Sequence, residues 1–532
     1  QGRKAENLVF VLFLPSAFII FATSLKSQVM ELPLSFVRRM ENLLGSDESA
    51  RMLDALRGDS PVSIRLNRMK LTWGGEASSV AFHEPSERVP WCADGYYLPS
   101  RPAFTFDPLL HAGCYYVQEA SSMFVEQALK QHLPADRPVA MLDLCAAPGG
   151  KSTHVRSLLP EDSLLVANEV MRNRAQVLAE NLAKWGHPDV VVTNNDPAVF
   201  ASLAGCFDVL LTDVPCSGEG MFRKDPASVE EWSEENVEVC WQRQRRILSD
   251  IWPCLKPGGL LVYSTCTYNE KEDEENVRWI SDELGAEVLP LETTPEWGVT
   301  GNLVPGETFP VYRFLPHRTS GEGFFLAVLR KSGGEDGTMQ DDQYACPAAS
   351  GRMRKKDSRS TGTKRAGKGG KADASAFSKE QLTMIRGWLQ DADGYALQTE
   401  GATVSAFPER WLPLLSALRA SLRVLLAGIC VAEAKGRDLM PCHHLALSSL
   451  LCREAFPTEE VDYDRAIAYL RKEAVVLSDA APRGYVLLTF AGFPLGFVKN
   501  VGNRANNLYP QEWRIRSGYV PQDGYFFWNT RR

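Results

Sequence analysis

Short apolar runs alternate with amphipathic stretches of helical spacing between residues 139 and 330, and this alternation limits the folds open to the chain. The runs read VAMLDLC, SLLVANE, DVVVTNND, FDVLLTDVP, GLLVYSTC and GFFLAVLR. Buried strands that are separated by helices are typical of a parallel sheet built from βαβ units. We therefore predict an α/β fold with a central parallel sheet. The last run follows a long insertion, and an antiparallel edge strand is one option for it.

The composition is that of a globular protein and excludes several classes. Of the 532 residues, 44% are hydrophobic and 23% are charged, which rules out extended disorder, a collagen-like chain and a polytopic membrane protein. The formal net charge is -8, so a nucleic-acid site would have to be a local basic patch. The 12 cysteines are scattered without a dense framework, which indicates reduced thiols in the cytoplasm.

The first thirty residues need a separate interpretation. An apolar run at 8–22 follows Arg3 and Lys4, which is the outline of a secretory signal peptide. The run is too short for a comfortable membrane span. Because the residues downstream indicate cytosolic chemistry, we instead interpret residues 1–29 as an extension that does not belong to the working protein. The protein would then start at Met30 and continue into an amphipathic helix.

A change of composition separates the predicted sheet from the last third of the chain. Residues 332–377 are rich in Gly, Ser, Lys and Arg, and 351–371 contain nine basic residues and one Asp. This composition predicts a flexible basic linker, which is either a solvated tether or an electrostatic arm for phosphates. Beyond it, Ser378 precedes a predicted helix. GYVLLTF and PLGFVKN read as strands on either side of a turn at 491–492.

The loop after the first apolar run is the most informative segment. The strand is predicted to end near Asp143, and a helix is predicted to open at Lys151. The turn between them consists of small residues: Cys145, Ala146, Ala147, Pro148, Gly149 and Gly150. Small residues let the backbone approach a ligand closely at the carboxyl edge of a sheet. The turn is neither GxGxxG nor GxxxxGKS/T, so a dinucleotide or P-loop triphosphate site is disfavoured.

Two carboxylates follow the next two apolar runs. Glu169 lies twenty residues after Gly149, where a carboxylate suits a ribose diol. Asp196 follows the third run, where it can reach an adenine amino group. A nucleoside site without a pyrophosphate site fits S-adenosylmethionine, and Lys151 would support its loop. Each acid alone is more often a helix cap or a surface residue, and Lys151 can equally be a helix-start residue that faces water.

Two cysteines stand at the ends of two later strands. Cys216 follows the fourth run, close behind Asp213, and Cys266 follows the fifth. Both positions face the crevice in which open α/β sheets bind ligands. A single cysteine is usually a small buried hydrophobe. Two cysteines at the ligand edge, one of them beside a carboxylate, favour a catalytic role.

Two further groupings have plainer explanations. The acidic run 270–275 follows Asn269, which can cap a helix whose first turn favours acids. Four potential zinc ligands lie near one another in the last third of the chain: Cys442, His443, His444 and Cys452. Their spacing matches no standard zinc site, so we predict that the protein holds no metal.

Taken together, these segments resemble the NOL1/NOP2/sun family of RNA cytosine-5 methyltransferases. The matching stretches are YYVQEASSM (115–123), DLCAAPGGKST (143–153), ANE (167–169), TDVPCSGEG (212–220) and YSTCT (263–267), and PVSIRLN (61–67) is similar to an RNA-facing segment of the family. The likeness covers residues 30–330. PCHHLALS (441–448) and the stretch 484–510 resemble the PUA-like C-terminal part of the family's bacterial RsmF branch, which modifies 16S rRNA.

The resemblance implies a Rossmann-like, S-adenosylmethionine-dependent methyltransferase fold with further domains. It implies an RNA-binding subdomain at 30–114, a catalytic domain at 115–331, the linker at 332–377 and a PUA-like α+β region for RNA binding at 378–532. The implied substrate is 16S rRNA in a 30S subunit or its precursor. The implied enzyme is a cytoplasmic monomer that binds neither a membrane nor a metal. A tRNA-specific enzyme of the same chemistry and a non-catalytic RNA-binding assembly factor are the alternatives.

The resemblance also implies a role for each site residue. Cys266 would attack carbon 6 of cytosine, Cys216 would assist release of the product, and Asp213 would hold the base. The loop 145–151, Glu169, Asp196 and Asp213 would bind the cofactor. Local basic clusters and two aromatic residues would contact RNA: Arg65, Arg68, Lys70, Arg223, Lys224, Lys499, Arg504, Arg514, Arg516, Tyr509 and Trp513. A solvated face is the alternative for each cluster.

Overall fold

The computed structural model describes residues 31–72, 86–333, 377–436 and 438–518. The predicted N-terminal extension and nearly all of the basic linker lie outside these residues. Within the described ranges, no helix combines the length and the apolar character that crossing a bilayer requires.

The described chain begins with two helices and a small sheet. Its elements are α1 (Leu34–Leu44), α2 (Ser46–Ala55), β1 (Val62–Leu66), α3 (Arg68–Leu71), β2 (Gly95–Leu98), α4 (Pro108–His111) and β3 (Tyr115–Val117). The helix expected after Met30 is α1, and Gly45, with φ at +79°, ends it. β1 is the middle strand of the sheet and runs antiparallel to both β2 and β3.

The next segment supplies the central sheet and the helices that cover it. Its elements are α5 (Val125–His132), β4 (Ala140–Asp143), α6 (Gly150–Leu158), β5 (Leu164–Asn168), α7 (Arg172–Trp185), β6 (Val190–Thr193), β7 (Phe207–Asp213), α8 (Pro226–Glu231), α9 (Glu234–Ile251), β8 (Leu255–Thr265), α10 (Glu274–Leu284), β9 (Ala286–Leu289), β10 (Tyr312–Phe314) and β11 (Phe324–Lys331). All six predicted runs form strands, namely β4 to β8 and β11.

The C-terminal segment forms two four-stranded sheets. Its elements are α11 (Lys379–Arg386), β12 (Tyr395–Glu400), β13 (Thr403–Pro408), α12 (Leu412–Ser421), β14 (Val424–Ala427), β15 (Ile429–Lys435), β16 (Asp438–Pro441), α13 (His443–Leu447), β17 (Thr458–Glu460), α14 (Tyr463–Leu470), β18 (Gly484–Phe490), β19 (Phe493–Asn500) and β20 (Ala505–Asn507). The predicted helix after Ser378 is α11, and Ser378 forms a capping box with Gln381. The predicted strand pair is β18 and β19.

The central sheet has the order β10-β11-β8-β7-β4-β5-β6-β14, with β9 also paired to β11. Strands β4 to β8 are parallel, as predicted. β11 is antiparallel to β8, as one option had it, but it is not an edge strand, because β10 and β9 pair with its other side. At the far edge, β14 of the C-terminal segment pairs with β6.

Apolar side chains cover both faces of this sheet. Ala140 and Leu142 of β4 belong to one cluster, whereas Met141 belongs to a second, as the alternation of side chains along a strand requires. Leu414 and Leu418 of α12 pack into the first cluster. With both faces buried, the carboxyl ends of the parallel strands are left as the edge at which a ligand can enter.

Candidate active site

The loop between β4 and α6 makes a tight turn at the carboxyl edge of the sheet. Gly149 has φ at +112°, and a Cβ atom there would lie 3.2 Å from Leu178 Cδ1, so both conformation and space favour glycine. The amide of Ala146 donates to the carbonyl oxygen of Asn168 at 2.9 Å. The end of β5 therefore holds the loop in place, as a site for close backbone approach requires.

Asp143 ends β4 at the start of this loop and has an unsatisfied oxygen. Its Oδ2 accepts a hydrogen bond from Ser152 Oγ at 2.7 Å, whereas its buried Oδ1 has no partner among the described residues. Burial raises the pKa of this carboxyl group to about 7. An ammonium or hydroxyl donor of a ligand would satisfy the free oxygen. Sequence reasoning placed Asp143 only at the strand end, because an unsatisfied atom leaves no mark in the sequence.

Glu169 follows β5, as predicted, and is 3% exposed. Its Oε1 accepts from the amide of Met171 at 2.8 Å, and its Oε2 lies 3.3 Å from Arg174 Nη1. Arg174 also donates to the carbonyl oxygen of Ala147 at 2.8 Å. Arg174, which sequence reasoning missed, thus joins the acid to the glycine-rich loop.

Asp196 follows β6 and has an exposed side chain. Its Oδ1 accepts from the amide of Ala198 at 3.0 Å, at the start of the short helical segment Pro197–Leu203. The capping alternative therefore describes its contacts in the structure. Its reach to an adenine group stays a prediction.

Lys151 and Asp213 form an ion pair that joins the loop region to the end of β7. Lys151 Nζ donates to Asp213 Oδ2 at 2.9 Å, and Ser264 Oγ donates to the other oxygen at 2.9 Å. Burial opposes the charge of Lys151, but the carboxylate of Asp213 raises the pKa of the ammonium group above its usual value. Lys151 lies in the first turn of α6, but its side chain pairs with Asp213 and does not face water. Asp213 keeps 32% of its side chain exposed, so it can meet a bound base.

Cys216 and Cys266 lie together although fifty residues separate them in sequence. They follow β7 and β8, which are parallel neighbours, so the strand ends meet at one edge. The two Sγ atoms are 3.0 Å apart, and both side chains are partly exposed. The hydrogen bond to Cys266, together with burial, raises the pKa of the Cys216 thiol well above its usual value. Either thiol can donate the hydrogen bond that joins the two sulfurs.

The acids after Asn269 do more than begin a helix. α10 begins at Glu274, directly after Asp273, whereas Asn269 Oδ1 accepts from the amide of Glu272 in the preceding turn at 2.9 Å. The predicted helix cap at Asn269 is therefore wrong. Asp273 Oδ2 lies 3.0 Å from Nη1 of the buried Arg313, with which Glu274 also pairs. The charges of Asp273 and Glu274 are thus used inside the protein.

Two more carboxylates, Glu219 and Glu272, are fully buried beside the cysteines. Sequence reasoning included Glu219 only in the PCSGEG motif and Glu272 only in the acidic run. Both acids lie in irregular loops after β7 and β8, where no periodicity predicts the partners of a side chain. The nearness of each acid in sequence to a cysteine was the one available signal.

The four potential zinc ligands do not form a site. Within the described residues, one group of three metal-binding side chains has its ligand atoms within 4.8 Å of one another, and it consists of Cys92, Glu126 and His154. In this group, Glu126 Oε2 lies 3.0 Å from His154 Nε2, and Glu126 Oε1 accepts from the amide of Ala93 at 3.0 Å. The acid is therefore already bound by protein donors, and the absence of a metal stays a prediction.

Two of the cations predicted to contact RNA lie inside the protein. Arg65 and Lys70 are each 1% exposed. Arg65 donates to Gln118 Oε1 at 2.8 Å and to Thr153 Oγ1 at 2.7 Å. Lys70 donates to backbone carbonyl groups, including that of Lys184 at 2.5 Å. The prediction of RNA contacts is wrong for this pair, because both side chains are buried and hold the N-terminal segment against helices α6 and α7.

The other cations differ in their partners. Arg223 and Lys224 lie 3.1 and 3.9 Å from the Glu322 carboxylate, Arg68 pairs with Asp94, and Lys499 lies 2.6 Å from Asp438. Among the predicted RNA-contacting cations of the C-terminal segment, those with exposed side chains are Arg504, Arg514 and Arg516. Tyr509 is fully buried, and Trp513 stacks on His444 with ring centroids 5.7 Å apart. The prediction that Tyr509 stacks on a base is therefore wrong.

Three family models match the chain. The one described as 16S rRNA methyltransferase RsmB/F matches residues 110–330. The N-terminal domain of 16S rRNA methyltransferase RsmF matches 32–120, and the methyltransferase RsmF PUA domain matches 456–515. The last match confirms the PUA-like part that was expected near the C-terminus.

Curated relatives extend the match over most of the chain. The ribosomal RNA small subunit methyltransferase F of Klebsiella pneumoniae (strain 342) is 31% identical over 471 residues, which cover 86% of this chain and 90% of the relative. The protein of that name from Shewanella amazonensis is 29% identical over 463 residues, covering 85% and 91%. A solved structure, a methyltransferase homolog protein from Pyrococcus horikoshii, is 29% identical, covers 56% of this chain and 94% of that one, and has a TM-score of 0.46. The chain belongs to the RsmB/F family of 16S rRNA methyltransferases.

Proposed function

We propose that the protein transfers a methyl group from S-adenosylmethionine to carbon 5 of a cytosine in 16S rRNA, through a covalent bond between Cys266 and carbon 6. The observation that carries this proposal is the pair of sulfur atoms 3.0 Å apart at the ends of neighbouring parallel strands, beside the oriented carboxylate of Asp213. The names of the curated relatives support the ribosomal substrate. We further propose that the enzyme is a cytoplasmic monomer that acts on a 30S subunit or its precursor.

The chemistry requires a nucleophile because carbon 5 of cytosine is itself a poor one. Attack of the Cys266 thiolate on carbon 6 turns the ring into an enamine-like species that can accept a methyl group. Asp213, held by Lys151 and Ser264, would bind the base at N3 and N4 and stabilise the adduct. After the proton leaves carbon 5, Cys216 would assist the expulsion of Cys266 from carbon 6. The target base must leave its stack, because neither carbon is accessible inside a helix.

The residues at the strand ends fit S-adenosylmethionine. The turn at 145–151 lets the backbone approach closely, Glu169 would bind the ribose hydroxyls, and the unsatisfied oxygen of Asp143 suits an ammonium group. Asp196 would bind the adenine amino group, and Asp213 would close the site toward the base. The cofactor, when bound, supplies an electrophilic methyl group.

Bisulfite mapping of total RNA from a strain that lacks this protein tests the proposal. The parent strain should show a 5-methylcytosine in 16S rRNA that the deletion strain lacks, and purified protein should restore it in the presence of S-adenosylmethionine. A site lost from tRNA instead would favour the tRNA enzyme. Unchanged methylation in all RNA, with cofactor still bound by the purified protein, would favour the assembly factor.

A further inference from the structure

Two buried carboxylates connect the loops that carry the cysteines, because each belongs to one loop and binds the other. We define residues 214–220 as the Cys216 loop and residues 266–272 as the Cys266 loop. Glu219 belongs to the first loop and Glu272 to the second, and both side chains are 0% exposed. The two loops also touch through their backbones, since the amide of Gly220 donates to the carbonyl oxygen of Cys266 at 2.9 Å.

Glu219 binds the residues that directly follow Cys266. Its Oε2 accepts from Thr267 Oγ1 at 2.7 Å and from the amide of Tyr268 at 2.8 Å. Its Oε1 accepts from Trp232 Nε1 at 3.0 Å and from Asn269 Nδ2 at 3.2 Å. A carboxylate of the Cys216 loop therefore fixes the backbone of the Cys266 loop.

Glu272 binds the residue that directly follows Cys216. Its Oε2 accepts from the amide of Ser217 at 3.0 Å and from Gln244 Nε2 at 2.7 Å. Its Oε1 accepts from Asn269 Nδ2 at 2.8 Å. Gln244 of α9 also donates to the carbonyl oxygen of Pro215 at 3.0 Å, on the other side of Cys216. A carboxylate of the Cys266 loop therefore fixes the Cys216 loop.

We propose that Glu219 and Glu272 are reciprocal positioning residues, each of which sets the place of the cysteine in the opposite loop. Glu219 holds Cys266 for its attack on carbon 6, and Glu272 holds Cys216 for release of the methylated RNA. This inference rests on the proposed function, which assigns attack and release to these two cysteines. It adds that the buried carboxylate of each cysteine loop serves the step of the cysteine in the other loop.

The contacts indicate which substitution can test whether the two carboxylates are more than ordinary core residues. Every group bound to Glu219 or Glu272 is a hydrogen-bond donor. A glutamine has nearly the same shape, but its NH2 group places a donor against a donor and leaves buried groups unsatisfied. Glu219→Gln and Glu272→Gln should therefore shift the opposite loop while the surrounding core keeps its volume.

A matched control is Glu126→Gln. Glu126 is also a buried carboxylate, 2% exposed, and its contacts are with Ala93, Lys130 and His154 rather than with either cysteine loop. This variant measures the general effect of losing a buried carboxylate. Thermal unfolding and S-adenosylmethionine binding of each variant test whether the fold and the cofactor site are kept.

The experiment follows the covalent adduct on a denaturing gel, with ribosomal RNA from cells that lack the protein and with S-adenosylmethionine. In the Cys216→Ala background, which should trap the adduct, Glu219→Gln should slow adduct formation about tenfold or more, and Glu272→Gln should change it by less than about threefold. With Cys216 present, Glu272→Gln alone should accumulate adduct and lower turnover. Glu126→Gln should do neither.

The inference would be overturned if the two variants had equal effects, or effects no larger than those of Glu126→Gln. It would also be overturned if Glu272→Gln slowed adduct formation and Glu219→Gln accumulated adduct. If a glutamine variant does not fold, Thr267→Val and Gln244→Met each remove one donor from the same carboxylates and should give the same two patterns. Wild-type protein that neither methylates the RNA nor forms an adduct through Cys266 would overturn the proposed function itself. If the wild-type protein is active but Glu219→Gln and Glu272→Gln do not each affect the step of the cysteine in the opposite loop, only the inference is overturned.

Discussion

Lys151 Nζ donates a hydrogen bond to Asp213 Oδ2 at 2.9 Å, so the helix behind the glycine-rich turn orients the carboxylate at the end of β7. Ser264 Oγ holds the second oxygen of Asp213 at 2.9 Å. This carboxylate lies three residues before Cys216. The ion pair is therefore the physical link between the proposed cofactor site and the cysteine pair.

Substitution of Lys151 by methionine should lower methyl transfer while the fold is kept. A hydrogen bond between charged groups contributes about 1.5–3 kcal/mol, which predicts a loss of about ten- to hundredfold in kcat/KM. Steady-state kinetics with 16S rRNA measure it. Lys151→Arg keeps the charge and should recover part of the activity, whereas full activity of Lys151→Met would show that Asp213 needs no such partner.

Glu169→Ala should weaken the binding of S-adenosylmethionine and leave RNA binding nearly unchanged. The loss of a charge-assisted contact should cost about 1.5–3 kcal/mol, measured by calorimetry. Arg174→Met is the control, because Arg174 contacts the same carboxylate and the loop carbonyl of Ala147. Its effect on cofactor affinity should be smaller. Unchanged affinity in Glu169→Ala would remove this acid from the proposed cofactor site.

The buried carboxyl group of Asp143 should make stability depend on pH. Its pKa is raised to about 7 in the folded protein, against about 3.9 in an unfolded chain. The folded state binds this proton more tightly than the unfolded chain does. The stabilisation that results is therefore fully present below about pH 4 and is lost as the pH rises through about 7. The free energy of unfolding, measured with denaturant, should therefore decrease between pH 5 and pH 8. This decrease should be about 1–3 kcal/mol smaller for Asp143→Asn than for the wild type. Equal decreases would contradict it.

Replacing the basic stretch 351–371 can show whether it is an RNA-binding arm or a plain tether. Replacement by a Gly/Ser linker of equal length should lower RNA affinity and flatten its dependence on salt, because fewer counterions are released on binding. Cofactor binding should stay the same. A tether without contacts would leave both RNA quantities unchanged in a filter-binding titration over several salt concentrations.

Six strands of the central sheet, β4 to β8 and β11, could be predicted because each is a continuous apolar run. The position of β14 could not, since its pairing with β6 joins Leu426 to Val192 across more than two hundred residues. A short apolar run records that it will be buried, not which sheet it will join. The edge position, one option for β11, was wrong because the short strands β9 and β10, which pair with it, lie in the insertion before it and were not predicted.

The cysteine pair could be predicted because the ends of parallel neighbouring strands must meet at one edge of the sheet. The bonds of Glu219 and Glu272 depend on how two irregular loops fold over each other, which no periodicity records. Arg65 and Lys70 show the opposite failure. Their charges suggested RNA contacts, but both side chains are buried and donate to protein oxygens.

The most direct test of the account is the covalent adduct between protein and 16S rRNA, seen as a slowly migrating band on a denaturing gel. Cys216→Ala should accumulate this adduct, because attack by Cys266 is kept while release is impaired. Cys266→Ala should neither form the adduct nor methylate, with cofactor binding kept, and the Cys216→Ala, Cys266→Ala double variant should lose the band. An adduct formed by Cys266→Ala but not by Cys216→Ala would reverse the two roles. Full turnover in both single variants would contradict the proposed mechanism.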